Sequence, residues 1–269
     1  MDKVNPTGTG YFSLNRNTDH TPGVYSVAVG DHATASGEAS FAEGCYTVAS
    51  GYCSYAEGYK TTASGERSHA EGSRTTASGG RSHAEGSETT ASGYCSHAEG
   101  ELTVASGSYS RAEGSNTTAS KHGSHAEGGH TIASGRYAYT EGYYTIANHK
   151  AQHVEGEYNI ADTSTATADD RGTYVHIVGN GTADDARSNA LTLTWGGDLW
   201  HSGRLSHGNS VSATGLGAYS GGSGTSALGD YSHAEGISAT AQGGASHSEG
   251  ENTTTIGVAS HAEGHGSIA

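Results

Sequence analysis

The chain has 269 residues, of which 32% are hydrophobic and 43 are glycine, and its formal net charge is −15. So few large apolar side chains cannot build a conventional globular core. The acidic balance and the lack of a basic run argue against nucleic acid or an anionic membrane as a partner. Residues 1–20 lack the apolar centre of a signal peptide, and no stretch is apolar enough for membrane insertion. If the chain is complete, we therefore expect neither signal-peptide export nor a membrane anchor.

After a lead-in of residues 1–23, a 14-residue period dominates the chain. Glu-Gly dipeptides recur every 14 residues from 43–44 to 155–156, and again from 235–236 to 263–264. A fixed short period is typical of stacked repeats, and a disordered chain has no reason to keep it. We divide the chain into the lead-in, a first array at 24–156, a non-repeat insert at 157–203 and a second array at 204–269.

Each repeat has two halves, Ser-His-Ala-Glu-Gly and Thr-x-Ala-Ser-Gly, each followed by two variable residues. Two glycines in every repeat would destabilise a helix by about 1 kcal/mol each. Short strands with glycine corners fit the pattern better. The period therefore predicts an all-β, parallel β-roll, or solenoid, with two strands per 14-residue coil. Because a coil this thin buries little apolar surface, we expect a homotrimer.

Three columns of small or β-branched residues follow the repeat. Alanine fills two of them, and the third holds Val, Thr or Ile immediately before the second alanine. Small side chains in every layer indicate that the two walls of a coil lie close together. The sequence leaves open which of these adjacent columns faces inward. A separate threonine column raises an ice-binding surface as one idea, although threonine is also an ordinary strand residue; it comprises Thr47, Thr61, Thr75, Thr89, Thr103, Thr117, Thr131 and Thr145.

A column of flat side chains precedes each Ala-Glu-Gly. Repeated histidine raises the hypothesis of a metal site. Phe and Arg occupy the same column and cannot ligate a metal in the same way, so we predict a structural planar ladder with no metal and no cofactor. Planar groups about 4.8 Å apart can stack. The ladder comprises Phe41, Tyr55, His69, His83, His97, Arg111, His125, Tyr139, His153, His233, His247 and His261.

A column of glutamates lies two residues further along the same strand, and so on the same face. Carboxylates repeated at strand spacing repel one another and need partners, such as histidines, hydroxyls, backbone N–H groups or another chain. Catalytic carboxylates form one special pair, so we predict no catalytic residue and no enzyme. If His and Glu pair, stability changes between about pH 7 and pH 5. The structural Glu ladder comprises Glu43, Glu57, Glu71, Glu85, Glu99, Glu113, Glu127, Glu141 and Glu155.

The three cysteines predict free thiols. Cys53 and Cys95 are three coils apart, roughly 14 Å at about 4.8 Å per coil, which is too far for a disulfide. A Cys45–Cys53 bridge remains an alternative. Free thiols fit assembly in a reducing cytosol.

The insert interrupts the period. Residues 161–172 are polar and predict a loop, two alternating stretches at 173–179 and 190–195 predict strands, and 195–203 predicts a hairpin. Trp195 and Trp200 form either the core of this insert at a trimer axis or exposed platforms for a glycan. Within the first array, Lys121 and His149 replace a turn glycine, and we expect altered corners and surface features there.

The repeats resemble the head repeats of trimeric autotransporter adhesins. The stretch YSVAVGDHATASGEASFAEG at 25–44 carries the family's S-V-A-x-G and A-x-A-x-G pattern, and the resemblance covers about 24–160 and 204–269. It implies a left-handed parallel β-roll and a homotrimer. Autotransporters also carry a signal peptide, a coiled-coil stalk and a membrane barrel, and we expect none of these in this sequence.

The middle of the chain resembles a second group. Residues 151–164 and 174–203 look like tail-fibre, neck-appendage and minor structural proteins of phages and prophages of Gram-positive bacteria, in which an SHAEG array leads into such a segment. Some of these relatives end in a self-cleaving chaperone domain, of which we see no sign after residue 203.

These features predict a structural, host-attachment fibre or appendage of a phage-like particle, assembled in the host cytoplasm. Its partners would be itself, other virion proteins and a host surface glycan or protein. A bacterial cell-surface trimeric adhesin is the alternative. A glycan-degrading tail spike ranks lower, because it would need an acid pair outside the repeats; Asp184, Asp185 and Asp198 are the acids to test.

Overall fold

A computed structural model describes residues 12–16 and 21–269, and for 12–16 only the backbone. Residues 1–11 and 17–20 of the expected lead-in lie outside the described residues. The described residues form β-strands and no helix. They therefore include no helix that is long and apolar enough to cross a membrane. It divides into two compact units, one extending to Trp200 and one from His201 to Ala269. The parallel β-solenoid predicted from the period is confirmed.

In the first unit, each coil contributes one longer and one shorter strand, preceded by β1 (Phe12–Arg16) and β2 (Val27–Ala35). The longer strands carry the Glu-Gly half of the repeat; they are β3 (Phe41–Cys45), β5 (Tyr55–Tyr59), β7 (His69–Ser73), β9 (His83–Ser87), β11 (His97–Glu101), β13 (Arg111–Ser115), β15 (His125–Gly129), β17 (Tyr139–Thr140) and β19 (His153–Glu157). The shorter strands are β4 (Val48–Ala49), β6 (Thr62–Ala63), β8 (Thr76–Ala77), β10 (Thr90–Ala91), β12 (Val104–Ala105), β14 (Thr118–Ala119), β16 (Ile132–Ala133) and β18 (Ile146–Ala147).

Each strand pairs in parallel with its equivalents in the coils before and after it, without a register shift. His69 of β7 pairs with His83 of β9, and Thr76 of β8 pairs with Thr90 of β10. Identical positions therefore lie one above another at the strand spacing of about 4.8 Å. The 14-residue sequence period is the length of one coil.

The core consists of small side chains. Both alanine columns are buried, as Ala84 and Ala91 illustrate, and the serine and threonine columns are buried with them. The β-branched column, which includes Thr90, is only half-buried and faces outward. This settles the orientation that the sequence left open. Because Thr89 and its equivalents are 0% exposed, the proposed ice-binding column is wrong.

The buried hydroxyls differ in how they are satisfied. Ser82 Oγ donates to the carbonyl of Gly79 at 2.7 Å, and most serines of its column make the same bond. Thr89 Oγ1 has no hydrogen-bond partner among the described residues, and neither do its equivalents from Thr47 to Thr131. An unpaired buried hydroxyl costs about 1–3 kcal/mol. The threonine column is therefore a repeated weak point of the core.

Two corners turn each coil, and a residue at each corner adopts the left-handed backbone conformation. At one, a non-glycine residue has φ between 41° and 58° along the first unit. Two residues before the corner residue Glu88, Gly86 has φ +108°, and a Cβ there would lie 2.1 Å from the carbonyl oxygen of Gly100. Glycine is needed at this position for both reasons. The non-glycine corner residues are Tyr46, Lys60, Arg74, Glu88, Leu102, Asn116, His130, Tyr144 and Tyr158.

The insert continues the first solenoid. Strand β20 (Tyr174–Asn180) pairs in parallel with β19, His176 facing His153, and then pairs antiparallel with β21 (Asn189–Thr194). Beyond β21, the Thr194 N–H donates to the carbonyl of Asp198 at 2.9 Å, closing the expected turn before β22 (Leu199–His201). The coil between β19 and β20 is enlarged to 23 residues by the loop.

A buried carboxylate organises that loop. Asp162 Oδ2 accepts the backbone N–H groups of Thr173 and Tyr174 at 2.6 and 3.0 Å, and Oδ1 accepts that of Ser164 at 2.9 Å. Burial raises the pKa of Asp162 most strongly, but these three donors and His149 outweigh it, so the pKa lies below its ordinary value. His149 is 3% exposed beneath the loop, so the expectation of a surface feature there is wrong. Lys121 is exposed, as expected.

The second unit repeats the same coil. Its longer strands are β23 (Leu205–Asn209), β25 (Tyr219–Ser223), β27 (His233–Ile237), β29 (His247–Glu251) and β31 (His261–Ala262). Its shorter strands are β24 (Ser212–Ala213), β26 (Ser226–Ala227), β28 (Thr240–Ala241) and β30 (Thr254–Thr255). All are parallel and in register.

Candidate functional site

The planar column forms continuous runs of neighbouring rings on the outer face of the longer strands. In the first unit, ring centroids are 4.8 Å apart for His69 and His83, whose planes differ by 4°, and 5.1 Å apart for His83 and His97, whose planes differ by 80°. The rings are therefore close throughout but stacked at only some steps. Arg111 interrupts the aromatic run, and its guanidinium pairs with Glu113.

The run extends beyond the residues predicted for it. His176 of the insert stacks on His153 at 4.9 Å, so the insert supplies the last ring of the first unit. In the second unit, Tyr219, His233, His247 and His261 continue the same pattern at 4.5–4.8 Å. The sequence missed His176 because it falls outside the 14-residue period.

The glutamate column lies beside the rings and pairs with them. His97 Nε2 lies 3.3 Å from Glu99, and the Tyr55 hydroxyl donates to Glu57 at 2.6 Å. That hydrogen bond is the main reason why the pKa of Tyr55 rises to about 12. Burial and then the neighbouring carboxylates Glu85 and Glu57 raise the pKa of Glu71. The expected repulsion along this column is thus present at Glu71.

Histidine and glutamate also come together in small groups. Five trios have ligand atoms within 4.8 Å of one another, among them His69, Glu71 and His83. Imidazole and carboxylate are suitable donors for zinc and related metals. All five trios consist of neighbouring members of the His and Glu columns, so their spacing follows from the coil repeat itself.

The two tryptophans are not enclosed within their own chain. Trp195 is half-buried, with the guanidinium carbon of Arg171 4.2 Å from its ring centroid. Trp200 is 60% exposed. A core role for these residues therefore requires contacts from outside the chain, whereas a surface contact does not.

The three acids that the sequence analysis selected outside the repeats are exposed on the surface. Asp184 is 68% exposed and pairs with Arg187 at 2.5 Å, while Asp185 and Asp198 are exposed. The three cysteines, Cys45, Cys53 and Cys95, are all free thiols, as predicted.

A concave site lies at the insert end of the first solenoid. A groove of about 360 Å³ is lined by Asn116, Thr118, His130, Ile132, Tyr144, Ile146, Asp184 and Arg187. Sequence reasoning missed it, because Asp184 and Arg187 lie in the insert and have no periodic relation to the corner residues. One available signal was the run of three rings, His130, Tyr144 and Tyr158, that follows Asn116 in the corner column.

These features define a class before any comparison with known proteins. In this parallel β-solenoid, each coil contacts the coils before and after it, and equivalent side chains form ladders along the outer surface. The YadA head domain repeat, a known family, matches residues 22–44, 70–94, 98–120, 234–257 and 248–269. No curated protein sequence matches the chain. The repeats of both units are therefore of the YadA head type, which indicates an adhesin-like structural protein.

Proposed function

We propose that this protein is a homotrimeric attachment protein that a phage or phage-like particle presents to its host cell. The observation that carries the proposal is the YadA head repeat in both units, since heads of this type belong to trimeric adhesins. The likeness of residues 151–164 and 174–203 to phage appendage proteins supports the particle as the carrier. Many weak contacts, multiplied by three chains, would supply the avidity of attachment.

The thin core supports a trimer. Alanine, serine and threonine fill the interior, and each contributes little transfer free energy compared with Leu, Ile or Phe. Meanwhile larger apolar side chains such as Ile237, Ile256 and Trp200 are more than half exposed. Association of three copies would bury such side chains and supply the apolar area that one coil lacks.

A bacterial cell-surface trimeric adhesin is the second candidate, and the YadA head matches support it equally. Both candidates place the protein outside the cell in contact with another surface. They differ only in the structure that carries the repeats, and we favour the particle because of the insert.

Two measurements test the proposal. Purified full-length protein, labelled with a fluorophore, should bind host cells in a saturable manner that unlabelled protein competes away. Immunogold labelling should then decorate purified particles. Label on the bacterial envelope instead would favour the cell-surface adhesin. If the protein binds no bacterial cell that the particle infects, the attachment function is contradicted.

A further inference from the structure

The groove at the insert end of the first unit combines residues of the solenoid coils with Asp184 and Arg187 of the insert. Its floor is the outward column of the shorter strands, where Thr118, Ile132 and Ile146 pair in register. Three coils at about 4.8 Å make this floor roughly 10 Å long. Ile132 is 39% exposed there, so the floor presents apolar surface to solvent.

One wall is an aromatic stack on the corner column. His130 and Tyr144 stack with centroids 4.3 Å apart and planes 10° apart, and Tyr144 stacks on Tyr158 at 4.7 Å and 9°. Asn116 precedes them in the same column and lines the groove. The wall therefore combines the edges of stacked rings with amide and imidazole groups that donate and accept hydrogen bonds.

The insert closes the end of the groove. Arg187 Nη1 donates to the carbonyls of Tyr144 and Asn159 at 2.9 and 3.1 Å, which fixes the insert loop to the corner. Arg187 Nη2 donates to Asp184 at 2.5 Å, leaving a charge pair with no net charge at the groove. Asp184 is 68% exposed, so its carboxylate remains available to an incoming hydroxyl.

The chemistry of these walls selects a class of ligand. An apolar floor, an aromatic wall and a few polar groups are what small-molecule sites combine, and about 360 Å³ is at the small end of their size range. A locally neutral groove on a chain of net charge −15 does not favour an anion. A ligand with an apolar ring face and hydroxyl groups around its rim would match this surface.

We propose that this groove binds a neutral pyranose, one or two units long, of a cell-surface glycan. The proposal deepens the attachment function and rests on it. The apolar face of the sugar lies on Ile132 and Ile146, and its hydroxyls bond Asp184, Asn116 and His130. Tyr144 closes the side of the site.

The test uses the full chain on an immobilised array of neutral hexose and N-acetylhexosamine glycans, together with sialylated and uronic acid glycans. Tyr144→Asn and Asp184→Ala should each raise the Kd for the neutral glycan bound best by at least tenfold. Asn is compatible with the left-handed corner, because Asn116 occupies the same column with φ 55°. Equal melting temperatures would show that both variants are folded.

Tyr46→Asn is the matched control. Tyr46 occupies the same corner column and stacks on His32 at 4.7 Å, but it does not line the groove. Its Kd should equal that of the unsubstituted chain. The inference is overturned if the unsubstituted chain binds no neutral glycan, if it binds only acidic glycans, or if the two groove variants bind as well as the control.

The cell-binding assay separates this inference from the function on which it rests. Saturable binding to cells that survives both groove substitutions would reject the groove and keep the attachment function. Glycan binding that the substitutions abolish, by a chain that fails to bind cells, would support the groove and reject attachment.

Discussion

At the residue scale, the core of the first unit repeats an unpaired threonine hydroxyl. In two coils of the second unit, a serine hydroxyl pairs with the equivalent threonine. Thr89 Oγ1 finds no partner among the described residues. In the second unit, serine replaces the core alanine five residues earlier in two coils, and there Ser220 lies 2.8 Å from Thr225 Oγ1 and Ser248 donates to Thr253 at 2.9 Å. The chain thus shows two ways of filling the same space.

Ala84→Ser should give Thr89 the partner that its equivalents have. We expect a favourable coupling of about 1 kcal/mol between the two hydroxyls, because each satisfies the other. Urea denaturation of Ala84→Ser, Thr89→Val and the double variant measures this coupling. Zero coupling would mean that the hydroxyls do not meet in the core of the first unit.

The corner residues show at the same scale what the sequence does not reveal. Arg74, Glu88 and Leu102 all have φ near +55°, although none is a residue type that favours this region. Only the register of the coils forces them into it. A residue-by-residue propensity argument would therefore place ordinary strand or turn backbone at these positions.

At the element scale, the coil length and the two strands could be predicted because a 14-residue period leaves few alternatives. The columns that face inward could not be predicted, because two adjacent columns both contain small or β-branched residues. The structure at the end of the first unit was harder to predict. His149 replaces a turn glycine, and it is buried because the loop that Asp162 organises, thirteen residues later, covers it. The groove joins Tyr144 to Arg187, 43 residues apart, through a contact that no period encodes.

Close stacking of the coils makes one glycine column indispensable. Gly86→Ala would place a Cβ 2.1 Å from the Gly100 carbonyl oxygen at φ +108°, so we expect a loss of at least about 2 kcal/mol of stability. Gly80→Ala in the same region is the control, since its Cβ would lie 3.4 Å from the Tyr94 ring. Thermal unfolding followed by circular dichroism compares them, and equal melting temperatures would contradict the close stacking.

The partly buried histidines of the planar ladder also predict a response to pH. Burial, followed by repulsion from His69 and His97, lowers the pKa of His83, while Glu85 and Glu99 oppose this shift; burial likewise lowers the pKa of His125. A group whose folded pKa lies below its unfolded value near 6.5 binds fewer protons when folded. Its contribution to stability is therefore present above that value and decreases as the pH falls.

We expect the free energy of unfolding to decrease from pH 7.5 to pH 5.5, and to decrease less in His83→Phe. Phenylalanine suits this column, because Phe41 already occupies an equivalent position. Urea denaturation at both pH values measures the two differences. Identical pH dependence in the two proteins would show that His83 does not titrate differently in the folded state.

At the scale of the whole molecule, the proposed attachment function depends on the association of three copies of the chain. A solenoid whose interior is alanine, serine and threonine exposes large apolar side chains along its outside, and we propose that copies of the chain associate through that surface. Attachment through many equivalent coils also gains from copies that present them together. The ladders, the exposed tryptophan and the groove would then be displayed three times on one assembly.

The mass of the purified full-length protein in solution tests this central claim most directly. Light scattering coupled to size-exclusion chromatography, over a range of concentrations, should give three times the chain mass of 27.2 kDa. A folded species that keeps the mass of one chain at every concentration would contradict the account.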